Sequence, residues 1–128
     1  MTFLLDTHAL LWWVTDDPRL SALARERIRD PENVILVSSA SGWEITTKHR
    51  LGKLRFQDWD PQTLPASLRK DRIEVLPISL GHALLAGSLP GPHRDPFDRI
   101  LIAQSRMEDL PILTRDPVFP DYGVDAIW

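Results

Sequence analysis

The chain has no cysteine among its 128 residues, which excludes disulfide bonds and thiolate zinc sites. It also has no apolar run near the roughly 20 residues that a membrane-spanning helix needs. The short apolar stretch Phe3-Leu4-Leu5 ends at Asp6 and follows no basic segment, so it lacks the pattern of a signal peptide. From these absences we expect a cytoplasmic protein.

Positive charge is also scarce, with 15 lysine and arginine residues against 18 aspartate and glutamate residues and a net charge of −3. This balance argues against nucleic-acid binding through a broad basic face. Acids gathered around divalent cations would be neutralised, however, and nearby basic residues would then be left to meet phosphate. The 43% apolar and 26% charged content is ordinary for a globular protein, and the length predicts a single domain over residues 1–128.

Apolar, β-branched stretches predict strands, and helical periodicity lies between most of them. The predicted strands are residues 2–5, 34–37, 73–76, 110–114 and 124–128. This alternation is typical of right-handed βαβ units, so we expect the α/β class with a mostly parallel sheet. In such a sheet, ligands bind at the carboxyl ends of the strands.

The helix that begins in Asp95-Pro96-Phe97-Asp98 carries the clearest local signal. Proline lacks a backbone N–H and suits the first helical position, so Asp95 is the expected N-cap. Asp98 then lies in the first turn, where free backbone N–H groups favour an ionised carboxylate that can bind a hard cation. The alternative is that Asp95 and Asp98 only form a reciprocal cap.

Three further acids follow strands or begin helices at the same predicted edge of the sheet. Asp6 follows the first strand, Glu44 lies early in the helix after the second strand, and Asp116 follows the fourth strand. Together with Asp98, these carboxylates would repel one another unless cations lay between them. Oxygen ligands without cysteine or paired histidine favour Mg²⁺ or Mn²⁺, and such a site activates water for phosphodiester hydrolysis.

Each of these acids also has a purely local interpretation. Asp6 and Asp116 are suitable caps of a helix or a turn. Glu44 can complete a capping box with Ser41, or pair with Lys48 one helical turn later, which contributes only about 0.2–0.5 kcal/mol.

The residues resemble those of PIN-domain ribonucleases, in particular VapC-type toxins of toxin–antitoxin pairs. The resemblance covers essentially the whole chain. It is carried by the segments Leu4-Leu5-Asp6-Thr7-His8-Ala9-Leu10, Ser39-Ala40-Ser41-Gly42-Trp43-Glu44-Ile45 with Lys48, Asp95-Pro96-Phe97-Asp98-Arg99-Ile100-Leu101-Ile102-Ala103 and Leu113-Thr114-Arg115-Asp116.

This resemblance implies a three-layer α/β/α fold with a five-stranded sheet and Mg²⁺- or Mn²⁺-dependent endonucleolytic cleavage of RNA. It also implies a homodimer that is silenced by a cognate antitoxin. The acidic quartet of the family corresponds to Asp6, Glu44, Asp98 and Asp116, with Asp6 and Asp98 as the most direct metal ligands. Thr114 matches the hydroxyl position that helps to hold the last acid or a water molecule.

Basic and aromatic residues near the quartet suggest how a polynucleotide would be held. Lys48, Arg99 and Arg115 are candidate phosphate contacts, and a basic patch is expected at Arg50, Lys53 and Arg55. A solvated charged face is an equally acceptable interpretation of these residues. For Trp12, Trp13 and Trp43 we expect packing in the core or a dimer interface rather than stacking on bases. The alternative function is a catalytically idle PIN-fold module that binds RNA or protein.

Overall fold

The structure is a computed structural model that describes all residues from Met1 to Trp128. Its strands are β1 (Thr2–Leu5), β2 (Val34–Ser38), β3 (Glu74–Leu76), β4 (Ile112–Leu113) and β5 (Ala126–Ile127). Its helices are α1 (Thr7–Val14), α2 (Ala22–Arg29), α3 (Ser39–Arg50), α4 (Leu64–Lys70), α5 (Leu80–Ser88), α6 (Pro96–Met107) and α7 (Val118–Asp121), with a 3₁₀ turn at Pro61–Thr63 before α4. None of the helices is long and apolar enough to cross a membrane.

The five strands form one sheet in the order β3-β2-β1-β4-β5, and every pair is parallel. The chain builds outwards from β1 through β2 to β3, then returns to the other side of β1 for β4 and β5. The order therefore reverses between β1 and β4. In parallel sheets the crevice outside such a reversal is the usual ligand site, and here it lies beyond Leu5 and Leu113, which are register partners.

Helices cover both faces of the sheet, as the resemblance implied. Leu5 packs in a core with Leu10 of α1 and Ile45 of α3, while its neighbour Leu4 packs in a second core with Leu101 of α6. Successive side chains of a strand point to opposite faces, and both leucines are fully buried. Burial on both faces explains why β1 is a continuous apolar run rather than an alternating one.

The expected α/β class and parallel sheet are confirmed, while two predicted strands are too long. Residues 110–114 and 124–128 were expected as strands, but the ladder covers only Ile112–Leu113 and Ala126–Ile127. Pro111 has no N–H to give to a ladder, and β5 is an edge strand with a single neighbour. Short edge strands limit unwanted pairing with other chains.

Candidate active site

Asp6 lies at the end of β1, beside the point where the strand order reverses. It is the residue before α1, yet its carboxylate does not cap that helix. Instead, Oδ2 accepts a hydrogen bond of 2.7 Å from the Thr114 hydroxyl. Asp6 is only 6% exposed, and this burial raises its pKa. The Thr114 hydrogen bond lowers the pKa of Asp6, whereas the negative charges of Glu44 and Asp116 raise it further. The cap interpretation of Asp6 is therefore wrong for its side chain.

Thr114 links Asp6 to Asp116. Its hydroxyl oxygen accepts a hydrogen bond of 3.0 Å from the Asp116 N–H while donating to Asp6. Asp116 Oδ1 in turn accepts a bond of 3.0 Å from the N–H of Val118, the first residue of α7. Asp116 thus caps a turn, as its local interpretation predicted, and also stands close enough to raise the pKa of Asp6.

Glu44 lies on the second turn of α3, and it is 3% exposed. Ser38 caps this helix through a hydrogen bond from the Ala40 N–H, so the capping box of Ser41 with Glu44 is not formed. The Ser41 hydroxyl instead bonds the Thr7 hydroxyl at 2.8 Å and ties α3 to α1. Glu44 Oε2 pairs with Lys48, whereas Oε1 is buried without any hydrogen-bond partner.

Asp98 lies in the first turn of α6, as predicted. Asp95 is the N-cap and accepts from the N–H groups of Phe97 (2.9 Å) and Asp98 (3.3 Å). The reciprocal half of that cap is absent, because Asp98 Oδ2 bonds His93 Nε2 at 2.9 Å. Burial raises the pKa of Asp98 to about 7 against the effect of the His93 bond, and the charges of Asp95, Asp6 and Glu44 contribute to the rise.

The four acids therefore share one edge of the sheet and influence one another electrostatically. No three acidic or histidine side chains of the chain are arranged so that they would ligate one ion directly. The donor set nevertheless fits a hard divalent cation. Glu44 Oε1 is a buried carboxylate oxygen that lacks a partner, and a cation is what such an oxygen needs.

The structure separates the three candidate phosphate contacts. Lys48 is paired with Glu44. The Arg99 guanidinium donates to the backbone carbonyl oxygens of Ala86, Leu89 and His93, so it fastens the loop before α6 and is not free to meet phosphate. Arg115 is exposed and lines the cavity that contains Asp6 and Asp116.

Of the expected basic patch, only one residue lies on a cavity near the acids. Arg55 lines a neighbouring cavity that also contains His8 and Trp12. Arg50 lies on a separate cavity beside the 3₁₀ turn, and Lys53 is exposed.

Trp12 and Trp13 pack at the core as expected, whereas packing of Trp43 in a dimer interface stays a prediction. Trp12 is 6% exposed and belongs to the core. Trp13 packs against the same core, and its Nε1 donates to Asp71 at 2.9 Å. Trp43, next to Glu44, is 60% exposed and meets Phe97 edge to face with ring centres 4.8 Å apart.

The sequence interpretation missed His93, Thr7 and Ser41 as members of this site. His93 lies in a loop rich in proline and glycine, and its pairing with Asp98 depends on how that loop folds back over α6. The Thr7–Ser41 bond joins residues 34 apart in the chain. The available signal was the position of both hydroxyls within three residues of Asp6 or Glu44.

Comparison with known proteins gives matches in sequence and in fold. A sequence profile of the PIN domain family matches residues 3–125. Over 70 residues the chain is 40% identical to ribonuclease VapC16 of Mycobacterium tuberculosis, a stretch that covers 52% of this chain and 48% of that protein. The match thus spans about half the length of this curated relative.

Solved structures resemble the fold over nearly its full length. VapBC2 from Rickettsia felis, crystallised with a DNA fragment from its promoter, gives a TM-score of 0.71 at 16% identity, covering 99% of this chain and 98% of that one. FitAcB from Neisseria gonorrhoeae gives 0.63 at 20% identity, covering 100% and 97%. FitAB bound to an IR36 DNA fragment gives 0.63 at 17% identity, covering 99% and 94%. At these identities the likeness shows a common fold.

Proposed function

Because the chain belongs to the PIN domain family, we propose that it is a divalent-metal-dependent endoribonuclease that hydrolyses RNA phosphodiester bonds. We further propose that residues 1–128 form one catalytic domain and act as the toxin of a type II toxin–antitoxin pair. The partial identity to ribonuclease VapC16 supports this proposal. The observation that carries it is the gathering of Asp6, Glu44, Asp98 and Asp116 at the reversal of the strand order.

In this proposal the four carboxylates hold Mg²⁺, or Mn²⁺ in its place. When bound, the cation supplies activation of a water molecule and charge stabilisation at phosphorus. Asp6 and Asp98 would be the most direct ligands, as the family resemblance implies. A bound cation would favour the ionised forms of these two carboxyls, whose pKa values burial raises. Glu44 would contribute its Oε1, which has no hydrogen-bond partner. Asp116, which follows β4, would be the fourth carboxylate around the cation.

Thr114 and His93 act as positioning residues. Thr114 orients one oxygen of Asp6 and holds the Asp116 backbone with the same hydroxyl. His93 fixes one oxygen of Asp98. Each leaves the second oxygen of its acid for the cation or the attacking water. Fixed carboxylates of this kind remove part of the entropic cost of aligning water with phosphorus.

The decisive experiment measures cleavage of RNA by the purified protein with Mg²⁺ or Mn²⁺ against EDTA. We expect Asp6→Asn and Asp98→Asn to abolish cleavage while the circular dichroism spectrum stays unchanged. Asp125→Asn is the matched control, because Asp125 is an exposed acid away from this edge of the sheet. Unchanged cleavage in both site variants would refute the mechanism. RNA binding without cleavage under any metal would instead favour the idle binding module.

We also propose a homodimer and a cognate antitoxin as protein partners. An apolar patch on α5 and α6 supports a contact with protein, since Leu80, Leu84 and Met107 are 75%, 66% and 48% exposed. Met107 lies over Gly81, where a Cβ would come within 2.9 Å of its terminal methyl. Exposed apolar patches commonly mark protein contacts. Sedimentation of the wild type and Leu84→Glu tests the dimer; a monomeric wild type would refute it.

A further inference from the structure

Lys48 is the only lysine or arginine that forms an ion pair with an acid of the quartet. It lies in the last turn of α3 and reaches back one turn to donate to Oε2 of Glu44. Arg99, in contrast, donates to backbone carbonyl oxygens, and Arg115 stacks on Trp12. The Lys48 ammonium is therefore the one such charge placed directly on the four acids.

The same ammonium also lies near the acids at the start of α6, because α3 packs against that helix. Burial lowers the pKa of Lys48, but its hydrogen bond to Glu44 and the charge of that carboxylate outweigh burial, so the pKa is raised. The charges of Asp95 and Asp98 add to the rise. Lys48 thus lies between one carboxylate of α3 and two carboxylates of α6, rather than beside a single acid.

The pair of Lys48 with Glu44 differs from an ordinary pair on a helix surface. Glu44 is 3% exposed and the Lys48 side chain is 28% exposed, so both charges have lost much of their contact with water. A buried ion pair adds little net stability, because the lost hydration offsets the attraction. Glu44 Oε1 moreover has no partner, although the ammonium is bonded to the other oxygen. One oxygen of Glu44 is therefore bonded to a cation, while the other remains available to a second cation.

The charge of Lys48 limits how many divalent cations the acids can hold. A lysine ammonium is a compact point charge, and it repels a further cation that approaches the same carboxylate. The quartet carries four negative charges when ionised. Lys48 and one divalent cation supply three positive charges, whereas a second divalent cation would bring the supply to five. Asp95, the N-cap of α6, is already compensated by the positive end of that helix.

Resting on the proposed function, we propose that the Lys48 ammonium occupies the place of a second metal ion between Glu44 and the start of α6, so that the site binds a single divalent cation. Lys48 is then a positioning residue, which fixes Oε2 of Glu44 and leaves Oε1 for that ion. A neutral side chain at position 48 would remove the resident charge and free both oxygens of Glu44 for metal.

The number of bound ions can be measured without RNA, by isothermal titration calorimetry of the full chain with Mn²⁺ at about pH 8, above the pKa of about 7 of Asp98. We expect one Mn²⁺ per chain for the wild type. Lys48→Met keeps an unbranched apolar stem and removes the charge, so we expect it to bind two. Lys48→Arg keeps the charge and should bind one. Electron paramagnetic resonance gives an independent readout, because two Mn²⁺ ions about 3.5–4 Å apart, the usual spacing of paired catalytic ions, broaden each other's signal.

Lys70→Met is the matched control, since Lys70 is exposed on α4 and forms no ion pair; it should bind one Mn²⁺. Lys48→Gln is a second neutral variant, so the test does not depend on the folding of one protein. Two Mn²⁺ or none on the wild type, or one on both neutral variants, would overturn the proposal. If cleavage of RNA needs metal but the wild type binds two ions, the nuclease stands and the role of Lys48 is wrong. If the wild type binds one ion and Lys48→Met binds two, yet no metal supports cleavage, the role of Lys48 stands and the proposed function is refuted.

Discussion

Replacement of Thr114 by valine tests whether the hydroxyl really organises the acidic residues. Valine has nearly the shape of threonine, so the change removes the two hydrogen bonds and little else. Thr114 donates to Asp6 at 2.7 Å and accepts from the Asp116 N–H at 3.0 Å. Thr114→Ser is the matched control, because serine keeps the hydroxyl and loses only a methyl group.

The magnitude follows from the burial of the partners. A hydrogen bond to a charged group contributes about 1.5–3 kcal/mol, and a partly exposed amide such as that of Asp116 can turn to water, so the total loss for valine is about 2–4 kcal/mol. Serine loses a buried methyl, which is worth about 1 kcal/mol. The free energies of unfolding of the two variants should therefore differ by about 1–3 kcal/mol. For a chain of this size that corresponds to melting temperatures about 3–15 °C apart.

The difference in stability between the Thr114→Val and Thr114→Ser variants should also depend on pH. Burial raises the pKa of Asp6, and the Thr114 hydroxyl opposes this, so valine raises the pKa further. A carboxyl with a raised folded-state pKa costs stability as the pH climbs from the ordinary carboxyl range through the raised value. The stability gap between valine and serine should therefore widen from about pH 5 to about pH 8 in EDTA.

The assay is chemical or thermal unfolding followed by circular dichroism at both pH values, without metal. Two-state behaviour is expected for a domain of this length. The reasoning is refuted if the valine variant is as stable as the serine variant, or if their gap narrows as the pH rises. Either result would mean that the hydroxyl does not stabilise an ionised Asp6.

Three further predictions address other parts of the molecule. Burial and neighbouring charges raise the pKa of Asp98 to about 7, so the folded protein loses stability as the pH rises from the ordinary carboxyl range through that value. Asp98→Asn should therefore raise the melting temperature of the metal-free protein more at about pH 8 than at about pH 5. An equal rise at the two pH values would contradict this. His82 is buried, accepts a hydrogen bond from the Ser79 N–H and bonds Glu108. His82→Ala should therefore lower the free energy of unfolding, measured in urea, by about 2–4 kcal/mol. A decrease of less than about 1 kcal/mol would count against a stabilising role of these hydrogen bonds. Gly91 has φ +98°, and a Cβ there would lie 2.6 Å from the Tyr122 hydroxyl. Gly91→Ala should therefore lower the free energy of unfolding by about 1–3 kcal/mol, and adding Tyr122→Phe should recover part of that loss. If the effects of the two substitutions on the free energy of unfolding simply add, the clash is absent.

Much of the fold could be predicted because its signals are local. The apolar run of β1 and the β-branched run of β2 predict buried strands wherever the chain places them. Asp95 and Pro96 define the start of α6 by the chemistry of a helix N-terminus, and the structure forms that cap. The strands at 110–114 and 124–128 were predicted too long, because the extent of a ladder depends on the neighbouring strand and not on the propensity of the segment.

The location of the acids at one edge of the sheet was also within reach of the sequence. Alternating strands and helices predict a parallel sheet, and the carboxyl ends of its strands meet at one edge. Asp6 and Asp116 directly follow β1 and β4, which the structure pairs side by side. The charge interactions among the four acids agree with that expectation. Their assignment as metal ligands stays a prediction.

The sequence by itself determined the elements, their order and the edge at which the carboxylates gather, because strand periodicity, caps and strand ends are properties of short segments. Only the tertiary structure decided which group each acid meets. Thr114 bonds Asp6 across 108 residues, Arg99 turns inward to three carbonyl oxygens, and Arg115 stacks on Trp12. These contacts join segments that are distant in the chain. Their partners are selected by the packing of helices against the sheet, and no local pattern encodes that choice.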